Sequence, residues 1–109
     1  MVFVTVSTNE EQITLLTDFL LTLTPGCTIH RNRDPVRAMR PLSHEKVDCL
    51  FADAEICSAL MDSLNKREVK PSVYALCGKD AASGNLPEGI RGVVTYPITD
   101  HKIRDLLQV

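Results

Sequence analysis

Short apolar runs recur along this chain, and a segment of helical length separates nearly every neighbouring pair. That alternation restricts the fold more than any other feature. Strands joined by crossovers of about a dozen residues pair in parallel, and the crossover helices then lie over the sheet. Val2-Phe3-Val4-Thr5-Val6 is the first run, apolar at nearly every position, as suits a strand covered on both faces. Val47 to Ala52 ending in Asp53, Val73 to Cys77 closed by Gly78, and Ile90 to Tyr96 repeat the pattern. Cys27-Thr28-Ile29-His30 is a weaker strand candidate in second place.

The segments between carry helix signals. Thr8-Asn9-Glu10-Glu11 reads as a capping box in which Thr8 accepts from the Glu11 amide. Ile13, Leu16, Leu20 and Leu23 then line one face, widened by Phe19, and Pro25-Gly26 ends the helix. Asp34-Pro35 opens a second helix, with Asp as cap and Pro at the first helical position. Val36, Met39 and Leu42 form its expected buried stripe, and Pro41 is expected to break or bend it. Glu55 to Leu64 is a third helix with Ile56, Leu60 and Leu64 at four-residue spacing; Lys66-Arg67 then suit its C-terminus. Thr99 or Asp100 caps a last helix carrying Ile103, Leu106 and Leu107. Asp80 to Gly89 has one large apolar residue, Leu86, among Gly, Ala, Asn, Ser and Pro, which argues against a full amphipathic helix. The reading is one domain over residues 1–109, an α/β fold with a doubly wound, five-stranded parallel sheet.

Composition narrows the function. With 44% hydrophobic and 24% charged residues, a 109-residue chain holds one ordinary globular core. Twelve basic residues against fourteen acidic ones give no basic field that would drive binding to a nucleic-acid backbone. No apolar run reaches the roughly 18 residues a membrane span requires, and the first residues show no secretory pattern. Cys27, Cys49, Cys57 and Cys77 form no CxxC pair and no cluster with His at zinc spacing. They are expected as buried thiols in a reducing, cytoplasmic setting. His30, His44 and His101 stand in unrelated contexts and read as ordinary residues.

In an open parallel sheet, sites form beyond the carboxyl ends of the strands. That rule selects Ser7-Thr8, Asp53, Cys77-Gly78 and Tyr96-Pro97. Asp53 has two readings: a nucleophile or metal ligand at the rim of the sheet, or an N-cap for the helix that follows. Magnesium needs hard oxygen ligands, usually more than one carboxylate, and the end of the first strand offers only the Ser7 and Thr8 hydroxyls. No glycine-rich loop follows that strand, no P-loop is present, and Cys77-Gly78-Lys79 is a chance Gly-Lys pair. A reactive Cys77 would need a cation such as Lys79 to stabilise its thiolate.

Two stretches, Val47 to Asp53 (VDCLFAD) and Gly89 to Thr99 (GIRGVVTYPIT), stand in an order and spacing that resemble the receiver domain of two-component response regulators, over essentially the whole chain. The resemblance implies a CheY-like, flavodoxin-like three-layer sandwich with Asp53 in the phosphoacceptor position. It also marks departures. Ser7 and Thr8 stand where the family has the acidic pair that holds magnesium, Cys77 where it has a hydroxyl residue, and Tyr96 where it has a lysine; the following proline is kept as Pro97. The segment after the fourth strand looks short, so the family's fourth helix is expected shortened or missing. Phosphoryl transfer concentrates negative charge that metal and lysine normally offset, and losing one such donor costs about 3–4 kcal/mol. The implied function is therefore an atypical receiver-like signalling module in a two-component system, not an enzyme, without cofactor or metal. It would act in the cytoplasm through a protein partner or as a homodimer, by way of the fifth strand and last helix. Ile98, Ile103, Leu106 and Leu107 are the expected contact residues, with no direct nucleic-acid or membrane contact. Two alternatives stand beside it: a phosphorylatable receiver using Asp53, with metal held by Glu10 or Glu11, and a small phosphocarrier or thiol enzyme using Cys77.

Overall fold

The computed structural model describes residues 1–66, 70–78 and 89–108. In chain order it runs β1 (Val2–Val6), α1 (Glu10–Leu23), β2 (Thr28–Asn32), α2 (Pro35–His44), β3 (Cys49–Asp53), α3 (Ala54–Leu64), β4 (Ser72–Cys77), β5 (Ile90–Thr95) and α4 (Asp100–Leu107). All neighbouring strands pair in parallel, in the order β2-β1-β3-β4-β5. The order reverses between β1 and β3, which is where a doubly wound sheet opens a crevice.

Strand alternation divides the interior into two apolar layers. Val4 and Val6 of β1, Leu50 and Ala52 of β3, and Val73 and Ala75 of β4 face one way and pack with Ala38 and Leu42 of α2 and Cys57, Leu60, Met61 and Leu64 of α3. Phe3, Cys49, Phe51 and Leu76 face the other way, onto Ile13, Leu16 and Leu20 of α1 and Ile103 of α4. The rings of Phe3, Phe51 and Tyr74 cross this second layer, with centroids 6.3 and 5.5 Å apart. Every residue of β3 is buried, as befits the central strand of a sheet covered on both faces.

Several local expectations change. Asn9, not Thr8, caps α1, its side chain accepting from the Gln12 amide, while the Thr8 amide donates to Asp53. In α2 the cap is Asp34 and Pro35 opens the helix, as read from the sequence. The helix nevertheless continues through Pro41 to His44. Its buried face is Ala38 and Leu42 with Met39 at the margin, while Val36 is 80% exposed. A residue in the first turn, two positions from the cap, lies clear of the sheet, whereas a small Ala in the next turn allows close approach. Thr99 caps α4. The expected shortening or loss of the helix between β4 and β5 concerns residues 79–88, which lie outside the described residues, as do Arg67 and Leu86.

Two glycines explain the Gly-x-x-Gly spacing before and within β5. Gly89 has φ +98°, and a Cβ there would stand 2.6 Å from the Met61 methyl and 2.9 Å from Asn65 Oδ1 at the end of α3. A Cβ at Gly92 would press on the Tyr74 ring at 3.3 Å. Both positions let β5 close against elements already in place.

Candidate functional site

The carboxyl ends of β1, β3, β4 and β5 bring Ser7, Asp53, Cys77 and Tyr96 together. Register does this: Asp53 lies opposite Leu76, Ser7 is held by its amide to the Asn32 carbonyl (3.1 Å), and the Tyr96 amide donates to the Cys77 carbonyl (2.9 Å). Asp53 is 7% exposed. Its Oδ1 accepts from Ser7 Oγ–H at 2.7 Å and from the Tyr96 hydroxyl at 3.2 Å, and its Oδ2 accepts from the Thr8 amide at 3.3 Å. Ser7 Oγ in turn accepts from the Asn9 amide at 3.0 Å, which leaves its single proton for Asp53. Although Asp53 occupies the cap position of α3, its side chain makes no capping hydrogen bond. The Asp53 oxygens thus bond to residues at the ends of β1 and β5 and not to the helix that follows.

Asp53, Thr8, Asn9, Glu55, Cys77 and Tyr96 border an open cleft of about 220 Å³. Pro97 follows Tyr96 through a cis peptide bond and is exposed beside the cleft without lining it. Burial, with the nearby Asp53 charge and the hydrogen bond to it adding to the effect, pushes the Tyr96 phenol up to about 12; the Ser7 hydroxyl acts the other way. Burial, then Asp53, also pushes the neighbouring Cys57 thiol up to about 11. The donors to Asp53 among the described residues, two hydroxyls and an amide, bring hydrogen bonds but no positive charge.

Other charged groups that the sequence offered lie elsewhere. Glu10 sits on Arg33 at 2.8 Å and Arg31 at 3.6 Å, away from Asp53, and Glu11 is exposed on α1. The alternative in which Glu10 or Glu11 holds a metal with Asp53 has its Glu10 carboxylate engaged by two guanidiniums at and just beyond the end of β2. Among the described residues, no group of three His, Cys, Asp or Glu side chains is placed to hold a metal ion. Cys77 is buried, and Lys79, the cation a thiol mechanism would need, lies outside the described residues.

Two residues that sequence reasoning passed over hold the turn that carries Tyr96. Lys102 of α4 donates from Nζ to the Thr95 carbonyl (2.9 Å), Thr95 Oγ1 (3.2 Å) and the Pro97 carbonyl (3.1 Å). Gln12 Oε1 of α1 accepts from the Ile98 amide at 2.8 Å. A lysine in the first turn of a helix opposes the helix dipole, and that anomaly was the available signal for Lys102. The four residues expected at a partner contact divide. Ile98 and Ile103 are 2% and 0% exposed and pack inside the second apolar layer, so neither offers area to a partner. Leu106 and Leu107 are only partly buried.

No protein-family model matches the chain, and no curated protein matches it in sequence. Solved structures do. The chain is similar to a CheY-like receiver domain from Methylobacillus flagellatus, at 18% identity and TM-score 0.81 over 99% of this chain and 96% of that one. It is also similar to the receiver domain of a sensor histidine kinase from Pseudomonas aeruginosa, solved with magnesium coordinated in its active site cleft, at 16% identity and TM-score 0.81 over 98% and 93%. A third is the signal receiver domain of an HD domain-containing protein from Pseudomonas fluorescens, at 21% and 0.76 over 98% and 83%. At these identities the likeness is one of fold, and the chain has the CheY-like receiver fold.

Proposed function

We propose that this chain is a receiver-like signalling module, one domain over residues 1–109, that acts by contact with other protein surfaces and does not switch by magnesium-dependent phosphorylation of Asp53. The observation that carries the reading is that the donors on Asp53 among the described residues are all neutral, namely Ser7 Oγ–H, the Thr8 amide and the Tyr96 hydroxyl. A phosphoryl group arriving at Asp53 would add negative charge to a cleft in which Glu55 is another acidic residue on the rim. Attachment at Oδ1 would also displace the two hydroxyls held there, whereas Oδ2 carries only the Thr8 amide. Neutral donors offset such charge less well than a metal ion and a lysine do.

The contact surface is proposed on β5 and α4, with a second copy or another protein as partner. An open hollow of about 410 Å³ runs between these elements, bordered by Tyr74, Gly92, Val93, Lys102 and Leu106. Val93 stands exposed on it and Leu106 is partly buried beside it. A cytoplasmic setting agrees with three buried, unpaired cysteines, and no described helix is long and apolar enough to cross a membrane.

The test is incubation with acetyl phosphate and magnesium followed by intact mass measurement. The expected outcome is an unmodified chain. A stoichiometric phosphoryl adduct that disappears in Asp53→Asn overturns the proposal.

A further inference from the structure

The opposite edge of the sheet carries a second surface, independent of Asp53. Residues 28–46, spanning β2 and α2, hold five Lys or Arg against two acidic residues, whereas the rest of the chain holds seven against twelve. β2 is an edge strand, paired only with β1. The Thr28 amide donates to the Met1 carbonyl and the Asn32 carbonyl accepts from the Ser7 amide, so Thr28, His30 and Asn32 turn their peptide groups inward. Peptide groups in a parallel strand alternate in direction, so Ile29 and Arg31 turn theirs to the open edge.

Basic side chains straddle that edge. On the α1 side, Arg31 and Arg33 already grip one carboxylate, that of Glu10. On the α2 side, Arg37, which pairs with Asp34 at 3.7 Å, Arg40 and His44 follow one another at helical spacing along a single stripe. Arg40 makes no ion pair among the described residues, and it borders an open hollow of about 490 Å³ with His30, Pro41, His44 and Glu45. Free main-chain donors and acceptors flanked on both faces by cations match an extended peptide with acidic side chains at adjacent positions, which project to opposite faces. A nucleic-acid strand would satisfy the cations but not the peptide edge. A second copy would bring like charge against like.

We infer that the β2 edge, with Arg31 on one face and Arg40 on the other, takes an acidic, extended segment of another protein as a sixth strand. The main chain would supply affinity and the flanking cations the choice of partner.

The probe is an octapeptide of two Glu-Glu-Val-Val repeats, which places Glu on both faces of an added strand, titrated into the 15N-labelled chain and followed by backbone amide shifts. Controls are the same peptide N-methylated at alternate amides, a Lys/Val octapeptide and a single-stranded oligonucleotide. The Ile29 and Arg31 amides are expected to shift and to gain exchange protection with the acidic peptide alone. Arg40→Glu is expected to weaken binding by about tenfold or more and to admit the Lys/Val peptide, with core amide shifts showing the variant folded. The inference is overturned if Ile29 and Arg31 do not respond. It is equally overturned if the N-methylated peptide binds as well, or if the oligonucleotide binds this edge at least as tightly as the acidic peptide. None of these outcomes bears on phosphorylation of Asp53.

Discussion

Removing a carboxylate from water costs several kcal/mol unless donors replace its hydration, and at Asp53 three neutral groups do so. The strand-end rule made Asp53, Ser7 and Tyr96 legible as neighbours, since a parallel sheet collects its strand ends at one rim. The Thr8 contribution was not legible in kind: its amide serves Asp53, and the helix cap is Asn9. The raised phenol of Tyr96 gives a pH signature. Between the ordinary tyrosine value of about 10 and about 12, an unfolded chain has lost the Tyr96 proton while the folded chain retains it. Stability is therefore unaffected by this group below that window and falls as pH rises through it. Phenolate absorbance of the native chain should lag behind that of the urea-unfolded chain across this range. Tyr96→Phe should remove one of the two lagging tyrosines, leaving Tyr74, which burial also raises. A second residue-scale prediction concerns Thr5, fully buried in β1 with no partner for its hydroxyl among the described residues. Thr5→Val replaces that hydroxyl with a methyl group of similar size and should stabilise the fold by about 1 kcal/mol, read as a higher denaturation midpoint at unchanged slope.

Among the elements, α2 shows where sequence signals are strong and where they fail. Asp34-Pro35 fixed its start, because a capping carboxylate and a proline with no amide to lose suit only that turn. Its buried face was read in part: Leu42 is buried and Met39 packs beside it as expected, but Ala38 was not read, because it contributes little to a hydrophobic stripe yet sits where the helix meets the sheet. The same limit applies to α4. Periodicity marked Ile103 as apolar, but only the packing tells that it lies wholly within the chain while Leu106 lies at its margin. β5 depends on its preceding glycine. Gly89→Ala combines a left-handed backbone with a 2.6 Å contact to Met61, and the variant should lose about 1–3 kcal/mol in chemical denaturation. Retention of full stability would show that the turn before β5 relaxes freely.

At the level of the molecule, the alternation of apolar runs and amphipathic segments was enough for a parallel, doubly wound sheet, because each crossover constrains strand direction and layer. The site followed from that topology. Its charge balance did not: Glu10 is close in sequence to Ser7, and only the fold shows it drawn away to Arg31 and Arg33. The β5–α4 surface has its own test in light scattering after size-exclusion chromatography. A dimer that dissociates on dilution is expected, and a strict monomer at high concentration removes that surface from the account. The account rests most heavily on Asp53 lacking the further carboxylates that hold a divalent ion, since no group of three acidic, His or Cys side chains is placed to do so among the described residues. Magnesium titrated into the 15N-labelled chain tests this directly through the amides of Thr8, Asp53 and Tyr96. The account predicts that they stay in place across millimolar magnesium, and saturable shifts centred on Thr8 and Asp53 would contradict it.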